Sequence, residues 1–187
     1  MIIEKILICG STYLTELVVD KLKDKYELVG YVPSVNPTKK GNIKLPRVDI
    51  NSLCDIKLSI QYDKLITDTQ KCFNVHTGLL PEYGGTNILS YTIKNKEKKQ
   101  GLTFHKVTDR LDFGPIISKI TYPVFPMDEP FDLYKKLLSI GPNFVLSSLE
   151  LLKNLDYSLL KLCETKKPIL YKRGGYITDE RIKNYDR

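Results

Sequence analysis

The segment around which this chain is organised is Phe73–Gly85, with the sequence FNVHTGLLPEYGG. It begins as a short apolar run typical of a β-strand and then breaks into a loop rich in glycine and proline. Asn74 and His76 lie two residues apart in the run, so on a strand they project from the same face. An amide that donates hydrogen bonds beside an imidazole that transfers protons suits acyl chemistry. We therefore expect these two side chains to enter one cleft.

The runs that precede this segment predict a parallel sheet with a helix between its first two strands. A strand, a glycine turn, a helix and a strand in this order are typical of the start of an α/β fold. Ligands of open parallel sheets bind at the carboxyl ends of the strands, where Asn74 and His76 fall. The predicted strands are Lys5–Cys9, Leu28–Val32, Ile56–Gln61 and Phe73–His76, with a helix over Thr12–Lys25, a surface loop over Ser34–Ile50 and a short helix or turn over Asp63–Lys71.

The second half of the chain continues the alternation of helices and strands. A leucine stripe over Glu129–Leu152 predicts a core-packing helix that is interrupted near Gly141–Pro142. The KRGG turn near the end predicts a small hairpin between Ile169–Tyr171 and Tyr176–Ile177. The other expected elements are a helix at Asn87–Asn95 and strands at Gly101–Val107 and Ile116–Tyr122.

Composition limits the class of protein. A chain of 187 residues with 42% hydrophobic and 27% charged residues is typical of one globular domain. No apolar run reaches the ~18 residues that a membrane span needs. The start, MIIEKILICG, has no basic region and carries Glu4, so we expect no signal peptide, no membrane partner and a cytoplasmic location.

The four cysteines are scattered without a C-x-x-C motif or a paired histidine. This spacing predicts neither a zinc site nor a disulfide framework, and nothing in the chain calls for a metal. Cys9 and Cys72 sit in apolar strand-like runs, where buried structural thiols are expected.

The formal charge of +7 suggests an anionic partner. Most of the basic residues are lysines in short runs such as Lys94–Lys99, which are typical of a solvated helix end. No basic motif interleaved with aromatic residues is present, so we do not expect nucleic-acid binding. A phosphorylated small substrate fits the same charge.

The first turn, CGSTYLTE, has one glycine and lacks the G-x-G-x-x-G dinucleotide fingerprint, which argues against a bound NAD. Ser11 and Thr12 have two interpretations: the start of the helix could hold a phosphate, or one of the hydroxyls could only cap the helix.

A second polar segment, LDFGPII at Leu111–Ile117, places the carboxylate of Asp112 just before a Gly-Pro turn. The other histidine, His105, sits in the middle of the strand-like run LTFHKV, where we expect a structural role.

Together these segments resemble the folate-dependent formyltransferases. That family shares an Asn-x-His strand end, an LLP-x-Y-x-G loop and a later LDxGPII segment, and the similarity covers Asp55–Ser118. Two positions depart from the usual pattern: Thr77 replaces a proline and Gly84 replaces an arginine. The resemblance implies a single Rossmann-like domain with a mostly parallel, twisted sheet flanked by helices. Residues 1–165 would be the catalytic domain and 166–187 a short hairpin-like tail.

The resemblance also implies a reaction, the transfer of a formyl group from N10-formyltetrahydrofolate to a primary amine without a metal. His76 would accept the proton of the amine, and Asn74 would stabilise the oxyanion together with His76. Asp112 would orient the imidazole or a water, and it would favour the protonated form of the imidazole.

The resemblance assigns further residues to the two ligands. SIQYDKLI resembles the segment that lines the folate pocket in the family, although a buried strand followed by the start of a helix explains its apolar residues equally well. Asp109 and Leu111 would border the pterin ring. The candidate cofactor residues are Tyr62, Lys64, Leu65, Ile66, Asp109 and Leu111, and the candidate substrate residues are Ser11, Thr12, Thr77 and Gly78.

Three branches of the family compete for the acceptor amine. The enzymes that formylate nucleotide-linked amino sugars, such as dTDP-sugars of surface polysaccharides, resemble this chain most in SIQY and in the tail LYKRGGY. The phosphoribosylglycinamide formyltransferases are the alternative. The methionyl-tRNA enzymes come third, because the chain is expected to end before their tRNA-gripping domain.

A non-catalytic or hydrolytic folate-binding relative, or a plain nucleotide-binding module, is the hypothesis from another class. A homodimer through the leucine-striped helix or the tail is a further hypothesis.

Overall fold

A six-stranded sheet forms the centre of the computed structural model, which describes residues 2–37, 39–156 and 167–172. The strand order is β2-β1-β3-β4-β6-β7, and within this sheet β6 alone runs opposite to the other five strands. This is the Rossmann-like, mostly parallel arrangement that the sequence predicted. The strands are β1 (Lys5–Cys9), β2 (Glu27–Val32), β3 (Ile56–Ile60), β4 (Cys72–His76), β6 (Lys99–Lys106) and β7 (Ile116–Pro123), while the short β5 (Gly84–Gly85) lies outside the sheet.

In the residues that the structure describes, three helices contribute to the main hydrophobic core, and each lies close to its predicted position. They are α1 (Tyr13–Leu22), α2 (Ile88–Lys94) and α3 (Pro130–Asn154). Asp63–Lys71 connects β3 to β4 through turns and bends, which was one of the two options for this segment.

The two faces of the sheet differ in chemistry because side chains alternate along each strand. In β4, Phe73 and Val75 enter the main core together with Leu102 and Phe104 of β6. The intervening positions therefore project from the opposite face, and they are largely polar: Ser59, Asn74, His76, Thr103 and His105. The sheet thus separates an apolar face, which anchors the helices, from a face that carries hydrogen-bonding groups.

The expected interruption of the last helix is wrong. α3 continues through Pro142 as one element of 25 residues. Proline removes one backbone donor and costs about 3 kcal/mol inside a helix. Here Leu137 before the proline and Val145 after it are buried in the same core. Gly141 lies against Leu14 of α1, where a Cβ atom would come within 2.8 Å of the leucine side chain. Packing on both sides of Pro142 therefore keeps the two halves in one helix.

The leucine stripe of α3 packs inside the chain, as expected for a core helix. Leu133, Leu137, Leu149 and Leu152 are all buried in the main core. Leu138 and Leu146 of the same stripe are partly buried against this core, and a dimer along the stripe stays a hypothesis.

The first arm of the predicted hairpin contains a short strand. β8 (Leu170–Tyr171) pairs in parallel with β5 (Gly84–Gly85), so this strand joins the loop that follows His76. The second predicted arm, Tyr176–Ile177, lies outside the described residues. So does Cys163.

Cys9 and Cys72 are buried, as expected, and form a small apolar cluster with Ile66. Burial raises the pKa of both thiols to about 12, which suits structural rather than reactive cysteines. Among the helices of the described ranges, none has the length and apolar character to cross a membrane.

Candidate active site

Strand register brings the first three polar side chains of the site together. β4 and β6 are antiparallel neighbours in which Asn74 pairs with His105 and His76 pairs with Thr103. Directly opposite residues in such a pair have side chains on the same face within contact distance. As a result, Asn74, His76 and His105 form one patch on the polar face of the sheet.

Both ring nitrogens of His76 have a polar neighbour. Nε2 lies 2.6 Å from the backbone carbonyl of Tyr83, and Nδ1 lies 3.5 Å from Oδ1 of Asp112. A carbonyl oxygen can only accept a hydrogen bond, so Nε2 carries the proton. In the neutral imidazole Nδ1 therefore holds a lone pair, and this lone pair faces the carboxyl group of Asp112.

Asp112 brings the second segment to the site. Its side chain is 5% exposed, and its Oδ2 accepts a hydrogen bond of 2.7 Å from the backbone N–H of Gly85. The residue has φ of +53°, a left-handed conformation that aspartate and asparagine tolerate better than most side chains. The turn before Gly114-Pro115 thus places the carboxyl group beside the imidazole, the arrangement expected for residues that act together.

His105, for which we expected a structural role, lies in the same cluster. Nε2 lies 3.1 Å from the Asn74 amide nitrogen and 3.7 Å from Oδ1 of Asp112. Nδ1 bonds to the carbonyl of Lys106 at 3.0 Å, so Nδ1 carries the proton and Nε2 accepts from Asn74. This bond uses one of the two amide N–H groups of Asn74. One signal was available in the sequence: a histidine within an apolar run needs a polar partner when it is buried.

Burial and, to a smaller extent, the neighbouring His76 lower the pKa of His105 from 6.5 to about 4, although the carboxyl group of Asp112 opposes the shift. The folded chain therefore binds the proton more weakly than the unfolded chain. Between pH 6.5 and pH 4 the unfolded state holds more protons, so the free energy of unfolding decreases as the pH falls through this window.

We expect this loss to reach about 3 kcal/mol at pH 4 in the wild-type chain, measured by urea unfolding at a series of pH values. His105→Gln keeps an amide oxygen that can accept from Asn74 but does not titrate. Its stability should change less over the same pH range, because it lacks the imidazole of His105; some pH dependence remains, since the carboxyl groups titrate in both proteins. Identical pH dependence in the two proteins would show that His105 protonates freely in the folded state.

A cleft borders the cluster on the side of the predicted cofactor residues. Asn74, His105 and Asp112 lie in its wall. Leu65 and Leu111 flank it with 81% and 51% of their surface exposed, although both are apolar. His76 does not line this cleft and lies behind Asp112. Five of the six predicted cofactor residues line the cleft, namely Tyr62, Lys64, Leu65, Ile66 and Leu111, whereas Asp109 is not among its lining residues.

The predicted substrate residues lie apart from this cleft. Thr12 caps α1 through the N–H of Thr15 and donates a bond of 2.9 Å to Gln61. Ser11 accepts a bond from the N–H of Ser34. Both hydroxyls are buried, so the helix-capping interpretation is confirmed for Thr12 and the two side chains are used inside the fold.

Thr77 and Gly78 follow His76 directly. A Cβ atom on Gly78 would come within 2.8 Å of the Nε2 atom of His76, so the lack of a side chain leaves room for the imidazole. Thr77 is half-buried. Neither residue lies among those that line the cleft.

Gly84, which departs from the usual pattern, contacts the tail. A Cβ atom at this position would lie 3.0 Å from the Leu170 side chain and 3.1 Å from Pro168. The glycine therefore permits the close approach of β8.

Metal ligands do not cluster in the parts of the chain that the structure describes. No group of three or more histidine, cysteine, aspartate or glutamate side chains there could hold a metal ion.

Comparison with known proteins points to one family. A family model described as formyl transferase matches residues 33–149, which is more than half of the chain. Methionyl-tRNA formyltransferase of Buchnera aphidicola is 30% identical over 124 residues, covering 63% of this chain and 40% of that protein. The chain spans less than half the length of the first curated relatives that it matches.

Solved structures share the fold. An N-formyltransferase from Helicobacter canadensis, in complex with folinic acid and dTDP-3-aminofucose, superposes with a TM-score of 0.69 at 20% identity, covering 91% of this chain and 71% of that one. Phosphoribosylglycinamide formyltransferase from Bacillus halodurans gives a TM-score of 0.65 at 19% identity, covering 83% and 97% respectively.

Proposed function

This chain belongs to the formyl transferase family, and we propose that it moves the formyl group of N10-formyltetrahydrofolate to the primary amine of a nucleotide-linked amino sugar. The observation that carries this proposal is the arrangement of Asn74, Asp112 and His76. The amide and the carboxyl group lie in the wall of the cleft, and the imidazole lies 3.5 Å behind the carboxyl group.

The contact between Asp112 and His76 suits the acceptance of a proton. Oδ1 of Asp112 lies 3.5 Å from Nδ1 of His76, and both atoms are acceptors when the carboxyl group is ionised and the imidazole is neutral. A proton that enters this contact turns it into a charge-assisted hydrogen bond. Each attacking amine releases one proton, which Asp112 and His76 could share in this hydrogen bond.

The proposed reaction takes place in the cleft through the following bond changes and proton transfers. The amine nitrogen attacks the formyl carbon and forms the new N–C bond, while the carbonyl oxygen becomes an oxyanion. The free amide N–H of Asn74 donates to this oxyanion. The amine proton passes to Asp112 and His76. The oxyanion then re-forms the carbonyl group as the bond between the formyl carbon and N10 breaks, and the same proton passes from Asp112 and His76 to N10, which leaves as tetrahydrofolate.

The cleft offers suitable surfaces for the folate. Leu65 and Leu111 are exposed at its edge, and exposed apolar side chains around a concave site favour a flat aromatic ligand. Lys64 and Arg110 add two cations to its wall, which suits a ligand that carries carboxylates.

Support for a sugar acceptor comes from the motifs SIQY and LYKRGGY and from the structural neighbour that is named for its complex with dTDP-3-aminofucose. Glycinamide ribonucleotide is the second candidate, because the phosphoribosylglycinamide formyltransferase superposes over 97% of its own chain.

The proposal is tested by incubating the protein with N10-formyltetrahydrofolate and a panel of amines. The panel holds dTDP- and GDP-linked 3- and 4-amino sugars, glycinamide ribonucleotide and Met-tRNA, and mass spectrometry detects the formylated product. We expect formylation of an amino sugar. Formylation of glycinamide ribonucleotide or Met-tRNA alone would assign the chain to the corresponding branch instead.

A second measurement separates an inactive protein from a wrong acceptor. Binding of folinic acid without any formylated product would favour the non-catalytic folate-binding module. If neither binding nor product is observed, the proposal fails.

A further inference from the structure

The tail strand is bonded to the loop that follows His76. The N–H of Ile169 donates to Pro81 at 2.8 Å, the N–H of Gly84 donates to Ile169 at 2.9 Å, and the N–H of Thr86 donates to Tyr171 at 3.0 Å. These three backbone bonds run along the whole of the segment from Pro81 to Thr86. The loop is thus held by a segment that is more than 80 residues away in sequence.

The same loop supplies two of the contacts that position the candidate catalytic groups. The carbonyl of Tyr83 accepts from Nε2 of His76 at 2.6 Å. The N–H of Gly85 donates to Oδ2 of Asp112 at 2.7 Å. Any shift of this loop therefore moves a partner of the imidazole and a partner of the carboxyl group together.

Tyr171 reinforces the connection through its side chain. Its ring stacks on Tyr83 with centroids 5.0 Å apart and an interplanar angle of 11°, and it contacts Tyr91 of α2 at 4.4 Å. The amide of Asn95 donates to its hydroxyl at 3.3 Å. Stacked aromatic pairs contribute about 0.5–1.5 kcal/mol beyond their burial, so the ring adds a specific contact to the three backbone bonds.

Two adjacent glycines allow the strands to approach. Gly85 has φ of +89°, and a Cβ atom on it would come 2.3 Å from the carbonyl oxygen of Tyr171. At Gly84 a Cβ atom would press on Leu170 and Pro168 at 3.0–3.1 Å. Any side chain at Gly85 would thus collide with the backbone of the tail.

We propose that the segment Pro168–Lys172, through Tyr171, is a clamp that positions His76 and Asp112 by holding the Pro81–Thr86 loop. Tyr171 is a positioning residue here, because it acts through Tyr83 and Gly85. The proposal rests on the proposed function only for its effect on turnover, since the effect on the two catalytic side chains can be measured separately.

The test compares Tyr171→Ala with Tyr171→Phe in the full chain. The alanine variant loses the stacked ring, and we expect kcat for formyl transfer to fall about 10- to 100-fold with little change in the KM for the formyl donor. The phenylalanine variant keeps the ring and should retain most of kcat. Ile169→Ala is the matched control, because its side chain is 57% exposed and its backbone bonds do not depend on it.

Nuclear magnetic resonance gives a readout that does not depend on activity. In Tyr171→Ala we expect faster hydrogen exchange at the Gly85 amide and shifted ring signals of His76, with both restored in Tyr171→Phe. If the alanine variant fails to fold, Tyr171→Leu replaces it, because leucine keeps apolar bulk against Tyr83 without stacking. Unchanged exchange and ring signals in a folded variant would overturn the clamp, whether or not the protein transfers formyl groups.

Discussion

The His76→Gln variant is expected to transfer formyl groups about 100- to 10,000-fold more slowly than the wild-type chain, the range that general base catalysis contributes. Glutamine can still donate an amide hydrogen to the carbonyl of Tyr83, which replaces the 2.6 Å bond of Nε2. It cannot take up a proton beside Asp112. The loss should appear in kcat, measured under saturating donor and acceptor.

His76→Ala separates catalysis from structure at the same position. It should lose as much activity as His76→Gln but also lower the free energy of unfolding by about 1–3 kcal/mol, because it leaves a buried carbonyl unpaired. Wild-type kcat in a folded His76→Gln protein would remove this residue from the mechanism.

Asn74 and His76 share a face of the sheet because side chains on a β-strand alternate with a period of two residues. Because Asn74 and His76 are separated by one apolar residue, any strand over this run places them together, and the structure does so. The fold class was predictable for a related reason, since β1, α1 and β2 alternate within the first 32 residues with clear turn signals between them.

His105 was not assigned to the site because its place depends on strand register between distant segments. The pairing of Asn74 with His105 is set by an antiparallel strand that follows a loop and a helix. No local pattern in LTFHKV specifies which strand lies beside it. Contacts of this kind arise from tertiary packing and are not visible in sequence spacing.

A prediction from local sequence was also wrong where tertiary packing outweighed the local preference. Pro142 is a helix breaker by itself, yet the buried residues on both sides keep α3 continuous. The hydroxyls of Ser11 and Thr12 make internal bonds to Ser34 and Gln61, both distant along the chain, that local sequence does not reveal. Phosphate binding at this helix start stays a prediction. The pairing of Gly84 with Leu170 likewise required the fold.

The Asp112→Asn variant is expected to show the second large effect, a fall in kcat of about 100- to 10,000-fold with nearly unchanged stability. Asparagine tolerates the left-handed backbone at this position. Its amide oxygen can accept the N–H of Gly85 as Oδ2 does now. Its NH2 group would then take the place of Oδ1, 3.5 Å from Nδ1 of His76.

Asp112→Asn thus removes the negative charge of the carboxylate. The new NH2 group would also occupy the Nδ1 lone pair of His76, which should receive the proton of the amine. Asp112→Ala should lose a similar amount of activity, but it should also unfold about 1–3 kcal/mol more easily, because the N–H of Gly85 loses its partner. Urea unfolding and kcat measured on both variants distinguish the two contributions. If Asp112→Asn keeps wild-type turnover, the carboxylate is only a structural partner of the loop, and the proton of the amine must leave by another route.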